Sequence, residues 1–175
     1  MSTADAQWLV ATVVVGLCAG AAVFGAATER SWLSLPSLVP VAAGLFIRTS
    51  GPQLTLPGHA WIVALSMAMV ALAVVSGGPL VTWVLTLADQ AATPSTNASG
   101  SDILRGGATI GYLERIAVVG AVGLGQAEIV VAVIAIKGLG RFTELDSSAA
   151  RERFIIGTLV SLLWSGLAAG LVWPP

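Results

Sequence analysis

Charge is the scarcest commodity in this sequence: 10% of its 175 residues are Asp, Glu, Lys or Arg, against about 25% in an ordinary soluble domain. Too little polar surface is encoded to solvate a water-soluble fold of this size. The net charge of -1 gives no basic face for nucleic acid. The single cysteine, Cys18, lies inside the first apolar run. It excludes an intramolecular disulfide and a cysteine-held metal cluster, and reads as a small buried apolar residue. The single histidine, His59, sits in the turn-rich SGPQLTLPGH, so neither a histidine-rich metal site nor a Ser-His triad has support. No phosphate-binding loop occurs, and no cofactor is expected. Extended polar sequence is confined to one loop at 91–105, opening with AATPSTNASGS. Its Asn97-Ala98-Ser99 sequon is short enough to arise by chance.

What is abundant is apolar sequence, 56% of the chain, with a mean hydropathy of +0.90. Several runs reach the roughly 20 residues that a bilayer-spanning helix needs. The chain therefore reads as an all-α polytopic transmembrane bundle in one membrane domain, with about six spans. These are Trp8 to Ala27, Trp32 to Ile47, Ala60 to Ser76, Ala108 to Leu124, Ala127 to Leu139 and Phe154 to Trp173. The second carries Pro36 and Pro40 and should be bent. The third meets Gly77-Gly78-Pro79, a strong interruption, so 79–91 reads as a broken continuation or an interfacial helix bearing Thr82, Thr86 and Asp89 or Gln90 on one face. Counting that piece separately would give seven spans. The first run is too long for a signal-peptide core and lacks a basic flank, so it reads as a retained span; no lipidation motif is evident. Trp8, Trp32, Trp61 and Trp173 fall at span ends, the headgroup level at which indole is at home.

Orientation follows the basic residues. Lys137, Arg141, Arg151 and Arg153, half of the eight Lys and Arg, cluster between the fifth and sixth spans. The 141–153 loop should face the cytoplasm and the carboxyl terminus the outside. With six spans and a hairpin turn at Leu124-Gly125-Gln126, the amino terminus lies outside and Arg48 alone falls on the wrong side.

The charges inside apparently spanning sequence point to a site, because an ionised group near the bilayer centre costs on the order of 2.5–3.5 kcal/mol and usually pairs or serves a function. Glu114 should lie about 9 Å into the fourth span, within reach of Lys137 on the antiparallel fifth. Arg115 projects about 100° away and needs another partner: Glu152, Glu144 or lipid phosphate. Glu128 reads as an exposed helix-start carboxylate favoured by the dipole. Two readings of Glu114, Arg115, Lys137, Arg141, Glu152 and Arg153 stand open: an ion-pair network that locks the hairpin, or a polar cavity for an ion, proton or anionic headgroup. On the sixth span, Gly157, Ser161, Ser165 and Ala169 recur every four residues. This is a packing stripe for close approach to the hairpin or to another subunit, with hydroxyls able to bond across it. A metal at Glu114 is disfavoured by Arg115 and Lys137.

The runs GGATIGYLERI, IAIKGLGRFTEL and ERFIIGTLVSLLW resemble a block shared by a family of small bacterial, often actinobacterial, integral membrane proteins. The resemblance covers about residues 105 to 165, through Gly111, Leu113, Glu114 and Arg115, then Lys137, Gly138, Arg141, Phe142, Glu144 and Leu145, then Glu152, Arg153, Phe154, Gly157, Thr158 and Ser161. It implies a bacterial inner membrane and no particular activity, substrate or cofactor. Three functions follow in order: a non-enzymatic membrane subunit or assembly factor, with membrane lipid, a second copy or another membrane protein as partner; a transporter or channel element using Glu114 with Arg115 or Lys137; and an intramembrane lipid-acting enzyme.

Overall fold

The computed structural model describes residues 3–50, 58–91, 107–141 and 147–173. All of the regular structure in them is helical: α1 (Thr3–Ala27), a 3₁₀ segment (Ser31–Ser37) running into α2 (Leu38–Ser50), α3 (His59–Ala91), α4 (Gly107–Leu124), α5 (Ala127–Arg141) and α6 (Ser148–Val172). Five segments are long and apolar enough to cross a membrane, the 3₁₀ segment and α2 counting as one; α5, expected from sequence as the fifth of about six spans, is not among them. At 15 residues α5 is about 22 Å long, and at 33 residues α3 is about 50 Å long, set against a hydrocarbon core of about 30 Å.

The expected bend of the second span takes the form of a change in helix type. Pro36 lies within the 3₁₀ segment, and Pro40 in the first turn of α2, where a backbone N–H has no intrahelical acceptor to lose. Ser34 and Ser37 are fully buried, and each hydroxyl donates to a carbonyl three residues back, at 2.6 and 2.5 Å. Cys18 Sγ lies 3.4 Å from the Pro36 carbonyl.

The expected break after Ser76 does not occur. Helix α3 runs unbroken through Gly77, Gly78 and Pro79, so 79–91 is neither a separate span nor a detached interfacial helix. A membrane holds no water to compete for carbonyls opened at a proline, and neighbours take them instead. The carbonyl that Pro79 leaves without its i+4 donor is that of Val75; one residue before it, Arg115 Nε on α4 donates to the Val74 carbonyl at 2.7 Å, which ties this stretch of α3 to α4.

Helix α3 is the axis of the bundle, packed against α1, α4, α6 and the 3₁₀ segment. The core joins Leu72 and Ala73 of α3 to Val15 and Cys18 of α1, Val119 of α4, and Trp164 and Ala168 of α6. Many large apolar side chains point outward, among them Leu17, Phe46 and Leu139 at 69%, 69% and 79% exposure; water would not tolerate such a surface, whereas lipid solvates it. Cross-links between helix ends fix the order of crossing. Arg48 Nη1 at the end of α2 donates to the Gly170 carbonyl near the end of α6 at 2.8 Å. Gly123 of α4 faces the Trp173 ring. The end of α3 joins the start of α6 through Asp89 and Arg153. Successive helices therefore alternate in direction, and the bundle has one end carrying Arg48 and Trp173 and another carrying Glu29, Glu114, Lys137 and Arg153. The α4–α5 turn closes as a helix stop with Gly125 at φ 64° and Gln126 N–H on the Ala121 carbonyl at 2.9 Å, the geometry glycine accepts without strain.

Helix α1 meets the 3₁₀ segment at Gly25. A β-carbon there would stand 2.8 Å from the Arg30 carbonyl oxygen and 2.8 Å from Leu33 Cβ, atoms that no rotamer change can move away. Gly25→Ala should lower stability by about 1–2 kcal/mol, an overpacking cost of about 1–3 offset by up to about 1 of helix propensity. Gly20→Ala, with nothing within 4 Å, should leave it unchanged or raised. Thermal unfolding in mild detergent checks this; equal behaviour of the two variants would refute the close approach.

Candidate functional site

The charged end of the bundle is built around α4. Glu114 lies seven residues past Gly107, about 10 Å along the helix, and Lys137 lies four residues before the end of α5. Their side chains form an ion pair, at 11% and 21% exposure respectively, and Lys137 Nζ also stands 5.9 Å from the Phe154 ring centre. This pair matters to the fold because α4 is the one helix whose backbone α5 approaches closely.

Arg115, one residue on, serves a different contact. It is 4% exposed and turned toward α3, where Nε holds the Val74 carbonyl and the guanidinium stacks 4.9 Å from the Tyr112 ring centre. Of the partners proposed from sequence, Glu152 is not the one found. Glu152 is exposed on α6, and Glu144 lies outside the described residues. Three glycines make room for the arginine: β-carbons on Gly77, Gly111 and Gly78 would come 2.5, 3.2 and 3.6 Å from its side-chain atoms. Sequence reasoning took Gly77-Gly78 for a helix break; in the fold they are part of the arginine's cradle.

Arg153 does not join Glu114. It reaches Asp89 at the end of α3, one terminal nitrogen meeting both carboxylate oxygens at 2.5 Å. With the two side chains about half exposed, this pair contributes under about 1 kcal/mol. Asp89 was legible only as part of the polar face with Thr82 and Thr86. Arg141 ends α5, and its side chain lies outside the described residues. Among the described side chains the charged positions thus divide into a Glu114–Lys137 pair, an Arg115 cradle, an Arg153–Asp89 pair, and Glu152 exposed on α6.

The small-residue stripe of α6 faces the bundle. Ser161, Ser165 and Ala169 are buried at 6%, 0% and 1% exposure, and a β-carbon on Gly157 would lie 3.3 Å from Val81 of α3. The hydroxyl bond in the stripe runs along the helix, Ser165 Oγ to the Ser161 carbonyl at 2.7 Å, not across the contact. Two buried polar atoms have no hydrogen-bond partner among the described residues, Thr158 Oγ1 and Trp164 Nε1. His59 begins α3, at the far end of that helix from Asp89. No group of three His, Cys, Asp or Glu side chains among the described residues is placed to hold a metal ion.

Because α5 leans on α4 alone, a cleft of about 1360 Å³ remains at the charged end. The end of α1 contributes Gly25 and Glu29, α3 Gly78 and Thr82, α5 Ile136 and Lys137, and α6 Arg153 and Thr158, with Glu114 and Arg115 from α4. No known protein family, curated protein or solved structure matches this chain. What the site does must be argued from its own geometry.

Proposed function

We propose that this chain is a non-enzymatic subunit or assembly factor of a bacterial inner membrane, a location that rests on the family resemblance. Its charged end faces the cytoplasm and both termini the outside. Support for the orientation comes from the basic residues: Arg30, Lys137, Arg141, Arg151 and Arg153 belong to helix ends and turns at the charged end, and Arg48 to the other, a bias of the kind that sets orientation in bilayers.

The observation that carries the functional reading is the use made of the charges. Glu114 with Lys137 fastens α5 to α4, Arg115 fastens α4 to α3, and Arg153 fastens α6 to α3. Each is engaged in holding helices together. Helix α5 also presents Val131, Ile136 and Leu139 outward, an apolar face suited to a further helix. Chemical cross-linking in native membranes followed by native mass measurement should find the chain in an assembly larger than one copy; a monomer in both native membranes and mild detergent would sink the reading. A second reading, a transport element, is favoured by the position of the Glu114–Lys137 pair in the wall of the cleft. Reconstituted flux that is indifferent to Glu114→Gln and Lys137→Ala would remove it.

A further inference from the structure

We infer that Arg115 is the anchor for the phosphate of an anionic phospholipid seated in the cleft, a binding site that goes beyond the subunit reading and stands without it. A guanidinium carries five N–H donors. In Arg115 one of them, at Nε, is taken by the Val74 carbonyl. The two terminal nitrogens have no acceptor and no carboxylate among the described residues. The adjacent carboxylate, Glu114, points to another face of α4 and is paired with Lys137. A residue this deeply buried, at 4% exposure, thus holds its positive charge against only the field of neighbouring Glu114, a carboxylate already paired with Lys137, and an anion within hydrogen-bond reach would complete the compensation. The Tyr112 ring supplies only part of that compensation.

The terminal nitrogens face the cleft. Arg115, Gly78 and Gly111 all line it, and β-carbons on the two glycines would stand 3.6 Å from Nη2 and 3.2 Å from Nη1. No glycine side chain covers the guanidinium on those sides. The side chain also leans back toward the start of α4, as helical side chains do, which brings its head level with Gly111. That is four residues, about 6 Å, inside the helix, a depth at which a headgroup phosphate drawn slightly inward can meet it. Planar, forked and permanently charged, guanidinium matches two phosphate oxygens at once.

The size and walls of the cleft select the source of that phosphate. A volume of about 1360 Å³ far exceeds an inorganic anion, and Val81, Ile110 and Ile136 in the lining offer a surface for acyl chain. Thr158 also lines the cleft, with its Oγ1 buried and unpartnered, a hydroxyl free to donate to an ester or phosphate oxygen. Glu29 and Glu114 also line the cleft, and Lys137 and Arg153 each have an acidic partner, so the selection of an anionic head rests on Arg115.

The test titrates the full chain in mild detergent with phosphatidylglycerol, with phosphatidylcholine of the same acyl chains, and with inorganic phosphate, counting retained lipid by native mass spectrometry. One phosphatidylglycerol per chain should be held, about tenfold or more tighter than phosphatidylcholine, the scale of one charge-assisted hydrogen-bonded contact. Arg115→Gln should abolish the preference. Since that variant also loses the Val74 contact, Ala108→Trp provides an independent arm: it places an indole in the lining with Arg115 untouched, and should weaken binding about tenfold at an unchanged melting temperature. Equal retention of the two lipids by the native chain, or a preference that survives both Arg115→Gln and Ala108→Trp, overturns the assignment. Displacement of phosphatidylglycerol by inorganic phosphate overturns it too, in favour of the free anion.

Discussion

Gly77→Ala should destabilise the bundle by on the order of 2 kcal/mol or more, while the same change at the next residue, Gly78→Ala, should be neutral or slightly stabilising. On helix propensity alone both would gain up to about 1 kcal/mol. The difference lies in what a β-carbon meets. At Gly77 it would come 2.5 Å from Arg115 Cδ, 3.0 Å from Nε and 3.2 Å from Trp164 Cδ1. The arginine cannot simply swing away, because Nε is committed to the Val74 carbonyl, and a charged donor torn from its acceptor costs about 1.5–3 kcal/mol. At Gly78 the nearest atom is Nη2 at 3.6 Å, ordinary van der Waals contact. Thermal unfolding of the two variants side by side in detergent decides the matter; equal melting temperatures would mean that Arg115 is not held against α3 as described.

Glu114→Lys should detach α5. The change sets two ammonium groups against each other where α5 packs on α4, the helix it approaches most closely among the described residues. Breaking a largely buried pair costs up to about 3–5 kcal/mol, less here because Lys137 keeps some exposure. The readout is the reactivity of a cysteine placed at Val130, a half-buried position on α5, toward a water-soluble maleimide, compared with the native background of buried Cys18. Reactivity should rise in Glu114→Lys and return to the native level in the double variant Glu114→Lys with Lys137→Glu. A double variant no better than the single one would show that the pair is not what holds the helix.

The outline of the fold was legible because apolar length is a property of sequence itself. The runs starting at Trp8, Ala108 and Phe154 are long and apolar enough that helix is the one backbone state a bilayer admits there. The continuity of α3 was not legible, since Gly77-Gly78-Pro79 is a breaker wherever water competes for the freed carbonyls, and the helices packed around this stretch, with an arginine 41 positions downstream bonded to Val74, are not visible in the local sequence. Local signals carry no information about such a partner. The site divides the same way. The Glu114 to Lys137 separation could be judged by counting residues along a hairpin, because both helices and the turn between them are local. The destinations of Arg115 and Arg153 depend on which helices pack together, and α3 supplies both. The glycines beside Arg115 bear no mark in sequence that distinguishes a cradle from a hinge.

The unequal lengths of α3 and α5 reach beyond the protein into the lipid around it. An over-long α3 at the centre of the bundle is shielded by its neighbours and can relieve its excess by tilting or by carrying its last turns, with Asp89, into the aqueous layer. Helix α5 has no such shield: it is about 8 Å short of the hydrocarbon thickness and faces lipid along Val131, Ile136 and Leu139. Hydrophobic mismatch of this kind is relieved by local thinning of the bilayer at a modest cost per ångström. A bilayer crossed by α5 would therefore be drawn thinner beside it, its phosphates displaced toward the cleft. The same shortness makes the chain better matched to thin, fluid membranes than to thick ones.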